Sequence, residues 1–129
     1  MENNCVLNLE RLFFQNIEFS RLGEKNAKEL HYEISTEIMQ KSDEEVYKVA
    51  LSLKGNKEDE YQFLIELVGI FSVDVSSEMD KEFKKEILTK NTVAIMMPYI
   101  RSEVSILTAQ PGIDCVVLPP FNINAMMDE

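Results

Sequence analysis

Residues 80–110 read DKEFKKEILTKNTVAIMMPYIRSEVSILTAQ, a stretch without glycine and with one proline, Pro98. Apolar side chains recur at Phe83, Ile87, Ala94, Met97, Val104 and Leu107, which places them on one face of an α-helix. A proline within a helix removes a backbone donor and meets the carbonyl four residues back, so a kink or restart is expected near Met97-Pro98. Asn91 and Thr92 carry cap-type side chains for such a restart. The expectation is a short helix over Asp80–Leu88 and a longer one ending before Pro111-Gly112. No other segment is long enough to cover one face of the strands that precede it.

Those strands are legible to different degrees. Leu7 to Phe19 has a mixed pattern that alternates over Phe14–Phe19, with Ile17 and Phe19 inward and Asn16, Glu18 and Ser20 outward. Leu22 to Asn26 is a connection. Leu30, Tyr32 and Ile34 share one face of a second strand, although a helix over Asn26–Met39 also fits the spacing. Val46–Leu53 is β-branched and alternating. The charged stretch Gly55 to Glu60, with its Gly-Asn pair, is expected to be a hairpin loop. Tyr61 to Val75 returns, with Phe63, Ile65 and Leu67 on one face and Leu64, Glu66 and Val68 on the other. Two apolar faces suggest a central strand covered on both sides, and Gly69 suggests a bulge. Past Pro111-Gly112, Cys115–Leu118 is a short extended run, and Phe121–Met127 allows two helical turns. The fold class expected is α+β, a two-layer sandwich of a four-stranded antiparallel sheet on a long helix, as one domain over residues 1–129.

Composition excludes several functions. The net charge of −10 over 129 residues disfavours nucleic acid and anionic membrane surfaces. No apolar run has the length of a membrane span, and Met1-Glu2-Asn3-Asn4 has no basic leader, so a cytoplasmic location is expected. Cys5 and Cys115 are far apart and outside any metal or redox spacing, as suits reduced packing cysteines. The single histidine, His31, lies opposite Tyr32 in an alternating strand, where a rim position is the ordinary outcome. Glu58-Asp59-Glu60 and Asp43-Glu44-Glu45 sit at turns, as solvated charge does. No catalytic residue, cofactor site or metal site emerges, and binding is the expected class of function. Seven methionines suit a core, an oligomer interface or a surface that accepts varied partners.

Met97-Pro98-Tyr99-Ile100-Arg101, then Pro111, then Leu118-Pro119-Pro120-Phe121-Asn122 form an ordered set that resembles SecB, the bacterial protein-export chaperone family. Phe63–Leu67 with Gly69–Ser72 looks like that family's last strand. Asn16–Phe19 and Glu45–Val49 look like its first and third. The resemblance implies a homotetramer built as a dimer of dimers, acting without ATP or cofactor. It implies binding of unfolded polypeptides, such as precursor proteins kept competent for export, and the SecA motor as a partner. Client contact would fall to Leu30, Tyr32 and Ile34 with Met126 and Met127 of a shortened terminal helix. Motor docking would fall to Leu64 and Glu66 of the last strand and Glu18 of the first. The family's acidic first-strand positions fall here at Asn16 and Ser20, which departs from its docking pattern. Tyr99, Arg101 and Glu103 are expected at the interface between subunits. Two alternatives stand: a solitary chaperone of this type devoted to one client such as an antitoxin, and a purely structural oligomer subunit.

Overall fold

The computed structural model describes residues 5–41, 44–75 and 81–120. Four strands, β1 (Cys5–Arg21), β2 (Leu30–Gln40), β3 (Val46–Lys57) and β4 (Tyr61–Val75), precede one helix, α1 (Lys81–Thr108). The strands form an antiparallel sheet in the order β1-β4-β3-β2, so β1 and β2 are its edges. The helix covers one face, called inner below. This is the α+β sandwich that the sequence pattern implies.

The mixed pattern of β1 has a structural cause. Register shifts interrupt its pairing with β4 between Leu9 and Arg11 and between Phe14 and Asn16. Each bulge adds one residue, so Leu7, Leu9, Leu12, Phe14, Ile17 and Phe19, unevenly spaced in sequence, all pair with the odd-numbered, inner-facing positions of β4. The bulges lie in β1, and Gly69 of β4 keeps regular register with β3, contrary to the expectation of a bulge there. Gly69 instead leaves space for Met96 Sδ and the Phe71 ring, which a Cβ would meet at 3.1 Å and 2.7 Å.

The hairpin loop is shorter than expected. β3 continues through Gly55 and Asn56 to Lys57, and the turn is Glu58-Asp59-Glu60, with Asp59 at φ 65°. Gly55 is buried in the strand beneath the Phe63 ring. β4 is central, as its two apolar faces suggest, but among the described residues only its inner face is covered.

The helix is continuous, in contrast to the expected break. Pro98 lies on its exposed side, where the carbonyl that loses its donor can turn to water. Asn91 and Thr92 sit within it, and Thr92 Oγ1 donates to the Thr89 carbonyl at 3.2 Å rather than capping a new start. Among the described residues Val93, Met96, Met97, Ile100 and Val104 are buried in one cluster with Val49, Leu51, Leu53, Ile65, Leu67 and Phe71, and Leu88 in a second with Tyr47 and Val73. Ala94, expected inward, is exposed. The helix carries apolar residues on both sides, so periodicity could not choose the core face.

After α1 the chain folds back along it as an irregular strap without strand pairing. Cys115 in the strap is free and exposed rather than packed inside. The expected terminal turns, Phe121–Met127, lie outside the described residues, as does the pattern break at Ser42-Asp43.

Candidate binding surfaces

The inner face extends past the helix at β2. The helix packs most extensively on β4, β3 and β1, and the edge strand β2 forms a shelf whose Leu30, Ile34 and Ile38 pack against the core. Leu30, Tyr32 and Ile34 pair with Lys57, Gly55 and Leu53 and so share the inner face; Leu30 and Ile34 are half-buried, and Tyr32 is 39% exposed. One register row runs Phe19, Phe63, Gly55, Tyr32 across the four strands. The Phe63 ring lies over Gly55 and is stacked with Tyr61 and Phe19, their centroids 6.3 Å and 6.5 Å away. Phe19 and Tyr61 stack at 5.3 Å. The floor beside Tyr32 is therefore aromatic and fixed, which suits apolar or aromatic side chains of a bound polypeptide.

The strap closes this end of the molecule. Arg101 Nε donates to the Leu118 carbonyl at 3.1 Å and Ser105 Oγ to the Val116 carbonyl at 2.8 Å. Buried Thr108 Oγ1 accepts from Val116 N at 2.8 Å and donates to the Val104 carbonyl at 2.8 Å. These three residues share one helix stripe and take the place of a strand partner for the strap. Its far end is tied by Arg21, whose Nη1 donates to the Pro111 carbonyl at 3.2 Å, and by a 2.8 Å ion pair between Lys25 and Asp114.

Glu60 anchors the adjoining turn. It is fully buried, and its Oε1 accepts from Lys57 Nζ at 2.8 Å and from Asn26 N at 2.9 Å. The Lys57 hydrogen bond, aided by the Asn26 amide, holds its carboxyl below the ordinary carboxylate value against the opposing effect of burial. Its carbonyl accepts from Leu22 N and Gly23 N at 2.7 Å and 3.2 Å, which joins the β1–β2 connection to the hairpin.

The outer face is a shallow concavity of about 710 Å³ near the hairpin end, lined by side chains from all four strands, among them Glu18, His31, Lys54, Gln62 and Leu64. Glu18 and Leu64 are direct register partners, and Glu66 is two residues farther along β4. Asn16 Nδ2 donates to Glu18 Oε2 at 3.0 Å and to Glu66 Oε1 at 3.2 Å. The amide that stands where the resembled family has an acid thus holds two carboxylates side by side. His31 is exposed at the rim of this face, as expected.

The residues expected at a subunit interface are divided. Tyr99 is 46% exposed and shares a helix stripe with Ile95 and Ile106, which is 65% exposed. Glu103 lies four residues on from Tyr99, whereas Arg101 points to the strap. Met126 and Met127 lie outside the described residues. Sequence reasoning missed Arg101, Ser105 and Thr108 as a strap clamp; their spacing of four and three within an apolar helix was the available signal. It also missed Glu60, whose burial depends on loops distant in sequence.

Among the described residues no His, Cys, Asp and Glu group could hold a metal ion, and no helix is long and apolar enough to cross a membrane. Residues 3–129 match the family model of SecB, the preprotein translocase subunit. The chain belongs to the SecB family. It is 31% identical over 132 residues to the uncharacterized protein MJ0357 of Methanocaldococcus jannaschii, covering 95% of this chain and 83% of that protein. Its fold is similar to that of the Mycobacterium tuberculosis SecB-like chaperone Rv1957, solved with a ChAD peptide from the HigA1 antitoxin Rv1956. That likeness has a TM-score of 0.67 at 17% identity over 89% of this chain and 90% of the other. A Streptococcus agalactiae protein of unknown function is similar at a TM-score of 0.53 and 11% identity, covering 92% of this chain and 99% of that one. Membership in the SecB family supports a chaperone role.

Proposed function

We propose that this chain is a cytoplasmic holdase that binds non-native polypeptides without ATP and keeps them from aggregating. The observation that carries this is the inner-face row of Leu30, Tyr32 and Ile34 on the edge strand, 39% exposed at Tyr32, beside a fixed aromatic floor, in a chain of the SecB family. Several such shelves on one oligomer would hold a long unfolded chain with high avidity from weak contacts. The exposed helix stripe Ile95, Tyr99 and Ile106 supports assembly through α1, with Glu103 beside it, as a dimer of dimers. Met126 and Met127 would add to client contact.

The acidic outer end, Glu18, Leu64 and Glu66 clamped by Asn16, supports docking of a basic partner such as SecA, with precursor proteins as clients. A second proposal keeps the fold and narrows the client to one dedicated protein, such as an antitoxin. The non-acidic Asn16 and Ser20 favour it, as does the likeness to a chaperone solved with an antitoxin peptide.

Light scattering from a chemically denatured, unrelated protein tests the general holdase. Near-stoichiometric suppression without nucleotide, lost in a folded Tyr32→Asp variant, is expected. A folded oligomer that suppresses nothing would exclude the general holdase and direct the search to a single client.

A further inference from the structure

The outer sheet face is chemically polarised along its strands. Its hairpin end carries Glu18, Glu33 and Glu66, with Lys54 between the first two. At its other end, Arg11, Ile70, Lys48 and Met39 form one register row across the four strands. The neighbouring row is Phe13, Val68, Ala50 and Glu37. Phe13 is 38% exposed and Met39 44%, flanking a Val68 that is only 2% exposed. The Arg11 guanidinium lies 5.4 Å from the centre of the Phe13 ring.

Among the described residues neither Arg11 nor Lys48 is in an ion pair. The carboxylates facing the patch are Glu37, opposite Ala50, and Glu10, which accepts from Ser72 Oγ at 2.6 Å. Exposed apolar surface bracketed by two unpaired cations is unusual in a chain of net charge −10.

We propose that the Arg11, Phe13, Ile70, Lys48 and Met39 patch docks an extended polypeptide segment that carries apolar side chains between carboxylates. The cations sit on β1 and β3, two strand spacings or about 10 Å apart, within reach of their long side chains to carboxylates four residues apart, which share one face of an extended chain with the apolar residue midway between them. Charge complementarity sets the sign of the partner, because the rest of this acidic surface repels such a segment. This site lies across the sheet from Tyr32, so its success or failure is separate from that of the inner shelf.

The test uses the full chain and a short fluorescein-labelled peptide with Leu and Phe midway between glutamates four residues apart, alongside its lysine counterpart. Fluorescence anisotropy at low salt should give about tenfold tighter binding of the glutamate peptide. Arg11→Glu with Lys48→Glu should abolish that preference, and Tyr32→Asp should leave it intact. Where charge reversal lowers the urea midpoint, Arg11→Gln with Lys48→Gln replaces it and should also abolish the preference. Equal binding of the two peptides, a preference that survives both double variants, or one lost in Tyr32→Asp would overturn the proposal. A fall in oligomer mass in the double variants would also overturn it, by assigning the patch to contact between copies.

Discussion

Replacing Gly55 by Ala tests the aromatic floor beside Tyr32. A Cβ at Gly55 would lie 2.2 Å from Phe63 Cζ and 2.3 Å from Cε2. The ring must retreat by about 1.2 Å to reach the 3.4 Å at which ordinary contact begins. It has little room to do so, since Phe63 is 4% exposed and stacked with Phe19 and Tyr61. Overpacking of this kind costs about 1–3 kcal/mol. The backbone at Gly55 is not in the left-handed region, so Ala also gains about 0.4–1 kcal/mol by restricting the unfolded chain. The net loss expected is therefore about 0.5–2 kcal/mol. Urea unfolding at one fixed protein concentration measures it as a lower midpoint with unchanged slope. In a Phe63→Leu background the overlap is removed, and Gly55→Ala should become neutral or slightly stabilising. An equal loss in both backgrounds, or no loss in either, would refute the steric account.

Thr108→Val keeps the shape of a buried side chain but removes the acceptor for Val116 N, with an expected loss of about 1 kcal/mol. Hydrogen exchange at the Val116 amide should quicken roughly tenfold, and unchanged exchange would mean that Thr108 does not hold the strap. Glu60 has its folded pKa below the ordinary carboxylate value of 4.5, so its stabilisation is complete above that pH and is lost as pH falls through the lowered folded value. Glu60→Gln should accordingly be less stable at neutral pH, and urea midpoints taken at successively lower pH should converge on wild type in acid. A gap independent of pH would exclude the carboxylate charge as its cause. Ile106→Asp, at a position 65% exposed, should leave far-ultraviolet circular dichroism unchanged and lower the oligomer mass by light scattering. Unchanged mass would place the subunit interface elsewhere.

The sequence by itself determined the order and class of the elements. Tyr61–Val75 was legible in full as β4, and the alternation of Leu30, Tyr32 and Ile34 placed them on one face, because in each the period of two is unbroken. Glu18 and Leu64 were likewise legible as outward residues, and pairing made them neighbours. Tertiary structure decided the rest. The extent of β1 was hidden because its two bulges break the period that marks a strand. Gly55-Asn56 resembled a turn because a local pattern cannot report that Phe63, eight residues on, needs the space above a glycine. The helix restart at Pro98 did not occur because packing on one side left the proline and its orphaned carbonyl facing water. The helix has apolar residues on two sides, and only the sheet it meets selects Leu88, Met96 and Ile100 as core while leaving Ile95, Tyr99 and Ile106 exposed. Periodicity records that a face is apolar, whereas contact with a particular partner determines which face is buried.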